Sequence, residues 1–127
     1  MCPFPKRYSA LQCKRMINNK TKNVVLANNV VLANSPLKRM IGLLGRESLN
    51  DQEALIIKPC NSIHTFFMRF PIDVLFISKN NEVVEVVSSI PPFRLSPICF
   101  RSAFVIELPA GTILSSKTAL GDKIDVA

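Results

Sequence analysis

The chain has 127 residues and a formal net charge of +7. That length provides one domain with one hydrophobic core, and 48% hydrophobic with 20% charged residues is an ordinary globular composition. No apolar stretch reaches the roughly 20 residues that a membrane-spanning helix requires.

The positive charge is concentrated at the N terminus. Residues 1–22 contain six Lys or Arg and no acid, whereas the remainder has ten Lys or Arg against nine Asp or Glu. We predict a flexible basic extension over residues 1–22, followed by a single domain over 23–127. Contact with nucleic acid or an anionic surface is predicted through this extension only, and a solvated tail is the simpler interpretation. Because no export signal is visible, a cytoplasmic location is the default.

The hexapeptide NVVLAN occurs twice in tandem, at Asn23–Asn28 and Asn29–Asn34. Each copy predicts a short strand, and the two copies would form a hairpin that turns at Asn28-Asn29. One longer strand with a bulge is the competing interpretation.

A main helix is predicted over about residues 36–45. Ser35 before Pro36 is typical of a helix start, and Gly45 suits the position just past a helix end. Apolar residues at helical spacing form one face between them: Leu37, Met40, Ile41 and Leu44.

Short strands dominate the rest of the chain. The predicted strands are Glu53–Lys58, Ser62–Phe70, Ile72–Ser78, Glu82–Ser88, Ala103–Leu108 and Lys123–Val126, with a helical turn near 112–119. Ile72–Ser78 and Glu82–Ser88 are predicted to form a hairpin around Lys79-Asn80-Asn81. The pattern indicates an α+β fold, a compact and strongly bent, mostly antiparallel sheet or small β-barrel with the main helix against it.

His64 is the one histidine of the chain, and it lies in an alternating apolar run. On a strand, His64, Phe66 and Met68 point to one face. That face predicts a ligand pocket lined by the three side chains, with Arg46 or Arg69 available for an anionic group. The alternative is a partly buried histidine whose ring nitrogens bond to backbone groups.

Cysteine chemistry provides an alternative function. Cys99 and His64 would form a nucleophile–base pair if the fold brought them together, with Asp73 or Glu107 orienting the imidazole. Such a site would belong to a hydrolase or transferase. Cys60 is close to His64 in sequence, but four residues along a strand span roughly 13 Å. Since a zinc site needs about four ligands, one His and two domain cysteines predict no metal, and no cofactor is expected.

Asp73 lies in an otherwise apolar predicted strand, where an unpaired charge would be costly. An ion pair with Arg46, Arg69 or Arg101 is the structural interpretation, and a catalytic acid is the functional one. The same two interpretations apply to Glu107.

Four sequence blocks are similar to a known family. They are GLLGRESL at Gly42–Leu49, IHTFFMRFPIDVLFI at Ile63–Ile77, FVIELPAG at Phe104–Gly111 and LGDKIDV at Leu120–Val126. In this order and at this spacing they resemble the family catalogued as domain of unknown function 192, over about residues 23–127. The resemblance implies a small α+β domain dominated by strands, with no established activity. Its members are often exported.

The sequence favours binding over catalysis. We predict a small non-catalytic accessory domain that binds a small molecule or a protein in a pocket around His64. The residue types that catalysis requires occur only once or twice in the domain and form no local motif. The hydrolase or transferase that uses Cys99 and His64 is the alternative, and nucleic-acid binding through residues 1–22 is a third possibility.

Overall fold

The computed structural model describes residues 15–33, 49–66 and 68–127. The predicted main helix over 36–45 and Arg46 lie outside these ranges. Within them the chain forms eight strands and one short helix in this order: β1 (Ile17–Asn19), β2 (Val24–Ala27), β3 (Asn29–Ala33), β4 (Glu53–Ile57), β5 (Ile72–Ile77), β6 (Val83–Ile90), β7 (Phe104–Pro109), α1 (Thr112–Ser116) and β8 (Ile124–Val126).

The described strands form two open sheets. A small sheet has the order β2-β1-β8, and a large sheet has the order β3-β4-β7-β5-β6. Strands β3 and β4 pair in parallel, and all other neighbours are antiparallel. This part of the chain is therefore β-rich and mostly antiparallel as predicted, but its strands divide into two sheets and do not close into a barrel.

The tandem repeat joins the two sheets, so the prediction of a hairpin within it is wrong, as is the single bulged strand. The first copy supplies β2, which pairs with β1, and the second supplies β3, which pairs with β4. Between them, the backbone N–H groups of Asn28 and Asn29 both donate to the carbonyl of Gln52, at 3.0 and 2.9 Å. This anchor holds the chain where it leaves one sheet and enters the other.

The interior strand β5, which lies between β7 and β6, separates two hydrophobic cores. All six of its residues are buried. Because side chains alternate along a strand, Val74 and Phe76 enter one cluster and Leu75 and Ile77 enter the other. The sandwich core lies between the large sheet, the small sheet and α1, and includes Ile17, Leu26, Ile113 and Ile124. The loop core lies on the opposite face, and includes Cys60, Ile63, Met68 and Phe70.

The predicted hairpin of β5 and β6 is confirmed. The two strands pair antiparallel, with irregular register at two places along β5. Strand β6 is an edge of the large sheet, and bulges of this kind twist an edge away from further pairing. The short helix near 112–119 is also present, as α1.

The described residues 62–66 and 68–70 do not form the predicted strand. A single antiparallel bridge joins His64 to Leu95, and the N–H of Met68 then bonds to the carbonyl of Thr65 at 3.2 Å, which closes a turn. The turn shifts the alternation by one residue, so that Met68 is buried whereas His64 is exposed. The prediction that His64, Phe66 and Met68 share one face is therefore wrong.

The folded domain begins before residue 23. Strand β1 lies at the middle of the small sheet, between β2 and β8, and Ile17 and Asn19 are fully buried. Residues 17–22 of the predicted basic extension are thus part of the fold.

Candidate functional site

His64 is exposed, and its ring stacks against the ring of Phe66. The ring centroids are 5.1 Å apart, with an interplanar angle of 26°. The backbone N–H of Phe66 donates to Nδ1 of His64 at 3.3 Å. In a neutral imidazole this bond leaves the proton on Nε2, so the ring offers an N–H donor at its other nitrogen.

Thr65 is fully buried between the two stacked residues and fixes them to the loop that follows β6. Its N–H donates to the carbonyl of Arg94 at 2.9 Å, and its carbonyl accepts the N–H of Phe93 at 2.9 Å. Its hydroxyl donates to the carbonyl of Pro91 at 2.7 Å and accepts the N–H of Arg94 at 2.9 Å. The exposed pair therefore stands on a backbone that is held on both sides.

The other residues predicted for a ligand pocket are dispersed. Met68 is buried in the loop core, where it packs beneath the surface. Arg69 is exposed on the same segment. The structure thus brings together His64 and Phe66, and it separates both from the Met68 side chain by burial.

Cys99 and His64 are not hydrogen-bonded to each other, although the structure describes both residues. Cys99 is partly buried beside the loop core, and its N–H donates to the carbonyl of Asn61 at 2.8 Å. The thiol of Cys60 donates to the carbonyl of Ser62 at 3.0 Å, and no disulfide joins Cys60 to Cys99. Nucleophilic catalysis requires a thiol in contact with a base, and Cys99 and His64 do not form such a contact.

Asp73 is fully buried on β5 and accepts three backbone hydrogen bonds. Its Oδ1 accepts the N–H of Ser89 at 2.7 Å. Its Oδ2 accepts the N–H groups of Gly111 at 3.0 Å and Ile113 at 2.8 Å. The carboxylate thus ties the end of β6 and the first turn of α1 to β5, in the interior of the large sheet.

The partners of Asp73 differ from the predicted arginines. Of these arginines, Arg69 and Arg101 are described, and neither forms an ion pair with it. Asp73 is in register with Leu108, which belongs to the sandwich core, so it faces away from the loop that carries His64. It is therefore placed to anchor α1 and cannot orient the imidazole.

Glu107 is buried on the other face of the large sheet. It lies on β7, in register with Leu55 and Val74, which are both members of the loop core. The two buried carboxylates of the large sheet consequently point to opposite faces and do not form an acid–base pair with each other.

A buried polar network connects the small sheet to the turn before β8, and the sequence gives little sign of it. The side-chain amide of Asn19 donates to Thr118 Oγ1 at 3.0 Å and to Asp122 Oδ2 at 2.9 Å. Lys22 Nζ donates to both oxygens of Asp122, at 3.0 and 2.8 Å, and the N–H of Ala119 donates to Oδ2 at 3.0 Å. Asp122 lies in the LGDKIDV block, which was its only signal in the sequence.

The network sets the charge state of Asp122. Burial raises the pKa of its carboxyl, but hydrogen bonds from Asn19, Lys22 and Ala119, together with the charge of Lys22, outweigh burial. The pKa of Asp122 is therefore lower than that of an ordinary aspartate. It remains an ionised structural group, as in the buried ion pairs of other folds.

Described residues line several pockets, and the exposed His64–Phe66 pair lines none of the following three. Their volumes are about 260, 280 and 170 Å³. The first lies where the two sheets meet, and is lined by Arg15, Leu32, Ile56, Lys58, Asn81, Phe104, Asp125 and Val126. The second adjoins Cys60. Within the described ranges, no three His, Cys, Asp or Glu side chains are grouped so as to hold a metal ion.

Two open, mostly antiparallel sheets, with a hydrophobic core on each face of β5 and with α1 tied to Asp73, define a small β-rich domain. The chain belongs to the DUF192 family, described as "Uncharacterized ACR", whose family model matches residues 16–126. It is 37% identical over 115 residues to UPF0127 protein PH1112 of Pyrococcus horikoshii, covering 86% of this chain and 96% of that protein. It is 33% identical over 114 residues to a UPF0127 protein of Thermococcus sibiricus, covering 87% and 73%.

Two solved structures have the same fold. A Novosphingobium aromaticivorans protein of unknown function has a TM-score of 0.75 at 20% identity, covering 87% of this chain and 82% of that one. A Sinorhizobium meliloti protein, for which a role in transcription regulation has been suggested, has a TM-score of 0.73 at 22% identity, covering 88% and 91%. At these identities the likeness shows the fold alone.

Among the described residues, no helix is both long and apolar enough to cross a membrane.

Proposed function

We propose that the protein is a non-catalytic binding domain whose contact surface centres on His64 and Phe66. The observation that supports this proposal is the exposed stack of the two rings on a backbone that buried Thr65 holds in place. A rigid aromatic surface loses little conformational freedom when a partner covers it. The imidazole adds a hydrogen-bond donor at the edge of that surface.

The proposed partner chemistry follows from the side chains around the stack. An apolar group would cover the rings, and an acceptor would meet the Nε2–H of His64. Arg69, exposed on the same segment, would supply a cation for an anionic group. Met68 would support the surface from beneath and not touch the ligand.

Catalysis by Cys99 and His64 has less support. Nδ1 of His64 already accepts a backbone N–H, and the tautomer that this bond favours has its proton on Nε2. Neither nitrogen is then a free base, and of the two candidate carboxylates Asp73 is held by three backbone N–H groups on the other face of the sheet. A reaction would need a rearrangement of the segment that Thr65 holds.

Binding at this surface is tested by mapping an amphiphilic anion, anilinonaphthalene sulfonate, in amide NMR spectra of the full chain. We expect the shift changes to cluster at residues 64–66 and 91–96, and to be weakened at least severalfold by Phe66→Ser. The control is Leu114→Ser, which removes an exposed apolar side chain from α1. Shift changes that ignore Phe66→Ser would reject the surface.

The catalytic alternative is tested by the rate at which iodoacetamide alkylates Cys99, followed by mass spectrometry. A histidine that activates the thiol would make His64→Ala slow the reaction by about tenfold or more. We expect His64→Ala to leave the rate within about twofold of the wild type.

A further inference from the structure

The loop after β6 exposes the side chains that water disfavours and buries a hydroxyl. Residues 94–101 read RLSPICFR, and Ser96 is only 7% exposed, whereas Leu95, Ile98 and Phe100 are 68, 60 and 86% exposed. Most large apolar side chains of a folded domain are covered, so three on one short loop mark an interaction site.

Hydrogen bonds fix this inverted arrangement. The N–H of Ser96 donates to the carbonyl of Ile63 at 2.9 Å, and its hydroxyl accepts the N–H of Ile63 at 2.9 Å. The N–H of Cys99 donates to the carbonyl of Asn61 at 2.8 Å. With the backbone anchored toward the domain at positions 96 and 99, the apolar side chains between and beside them project outward.

The charged residues of the loop and of the segment paired with it have one sign. Arg94 and Arg101 bracket the three, and both are exposed. Neither residues 91–103 nor the paired segment 59–71 contains an Asp or Glu, and Arg69 adds a third cation. The surface is therefore complementary to an anionic partner that also accepts apolar groups.

We infer that residues 94–101 dock on an anionic lipid surface, with Leu95, Ile98 and Phe100 in the interfacial layer and Arg94 and Arg101 among the headgroups. This inference extends the proposed function to a specific partner, and it rests on that function because His64 and Leu95 are bridged. The bilayer would then lie against the same side of the domain as the stacked rings.

Two other occupants fit the surface less well. A second copy docked by a two-fold axis would place this cationic loop against an identical cationic loop. An acidic protein would satisfy the arginines, but protruding side chains need matching pockets on a protein, whereas a bilayer interface admits them without shape complementarity.

The experiment is sedimentation of the full chain with vesicles of phosphatidylcholine alone, or of phosphatidylcholine mixed with phosphatidylglycerol. We expect binding to the mixed vesicles only. Phe100→Ser should weaken partitioning about tenfold, and Arg94→Gln about fivefold. Leu114→Ser and Lys117→Gln, which change exposed residues on and beside α1, should have no effect. Equal thermal midpoints would show that all variants are folded.

Each other outcome overturns the inference. Failure to bind the mixed vesicles, or binding that Phe100→Ser and Arg94→Gln do not weaken, removes the loop as a lipid site. A DNA duplex or polyglutamate that binds through Arg94 while vesicles do not would assign a nucleic acid or an acidic protein. A dimer that Phe100→Ser dissociates would assign a second copy. If the dye still maps to residues 64–66 after vesicle binding fails, the proposed function stands without the lipid.

Discussion

Asp73 connects three parts of the fold through one carboxylate. Since it is fully buried and accepts N–H groups from Ser89, Gly111 and Ile113, its replacement leaves donors without a charged acceptor. We expect Asp73→Asn to lower the free energy of unfolding by about 2–4 kcal/mol. Urea denaturation followed by circular dichroism measures the change.

The control for this substitution is Asp51→Asn, which makes the same chemical change on an exposed turn. It should alter stability by less than about 0.5 kcal/mol. A loss of that small size at Asp73 would mean that the three backbone groups find other acceptors, and the anchoring role would have to be abandoned.

Asp122 gives the domain a dependence on acid. Its pKa is lowered in the folded state, so the unfolded chain binds the proton first as the pH falls. The stabilisation is complete above about pH 4, the unfolded value, and is lost as the pH falls through the lower folded value. The difference in unfolding free energy between wild type and Asp122→Asn should therefore shrink in acid.

This pH dependence is measured by urea denaturation at a series of pH values from neutral to about pH 3. The difference between wild type and Asp51→Asn provides the reference for an exposed carboxylate. A wild-type advantage over Asp122→Asn that stays constant across the series would show that the Lys22–Asn19 environment does not control this titration.

At the scale of elements, α1 starts from a left-handed residue. Gly111 has φ 98° and ψ −12°, and a Cβ there would meet no atom within 4 Å. The cost of Gly111→Ala is therefore the backbone conformation alone, about 1 kcal/mol of unfolding free energy. Gly111→Asn should cost less, because Asn tolerates this region better.

Comparison of the two variants by urea midpoint tests the argument. Equal losses for Ala and Asn would indicate a side-chain clash and not a backbone cost. Asp73→Asn should destabilise the fold more than Gly111→Ala does, because the Gly111 N–H is only one of the three backbone donors to Asp73.

Most strands could be predicted from the sequence because their burial follows an alternating or fully apolar pattern. The hairpin of β5 and β6 is the clearest case, with an Asn-containing turn between two apolar runs. Residues 62–70 misled the prediction because the turn at Thr65–Met68 shifts the alternation by one position without a Gly or Pro to mark it. Equally, nothing in two identical hexapeptides tells which sheet each will join.

At the scale of the whole molecule, the small sheet depends on β1. Ile17 is fully buried in the sandwich core, and β1 pairs with both β2 and β8. We expect Ile17→Ala to lower the global free energy of unfolding by about 2–4 kcal/mol. Because both sheets contribute to the sandwich core, the loss should appear equally in amide exchange of β1 and of β5.

Val25→Ala serves as the control, since Val25 lies exposed on the neighbouring strand β2. It should change the stability by about 0.5 kcal/mol or less. Faster exchange confined to β1 in Ile17→Ala, with β5 unchanged, would mean that the small sheet opens independently of the large one.

The candidate site was only partly predictable for the same physical reason. The sequence marks His64 and Phe66 as unusual neighbours, but their exposure and the burial of Met68 depend on the turn between them. The partners of Asp73 are backbone groups 16, 38 and 40 residues away in sequence, and a backbone N–H leaves no trace in residue identity. The network around Asp122 likewise joins residues about a hundred positions apart.

The pairing of β1 with β8 also determines how the domain responds to mechanical force. Met16 and Ala127 exchange two backbone hydrogen bonds, of 3.2 and 2.9 Å, so these two residues lie side by side at one end of the strand pair. The strands are antiparallel, with Ile17 opposite Val126. Tension applied at Met16 and Ala127 would break the hydrogen bonds between β1 and β8 one after another. Such sequential separation requires a lower force than shearing all of these bonds at once.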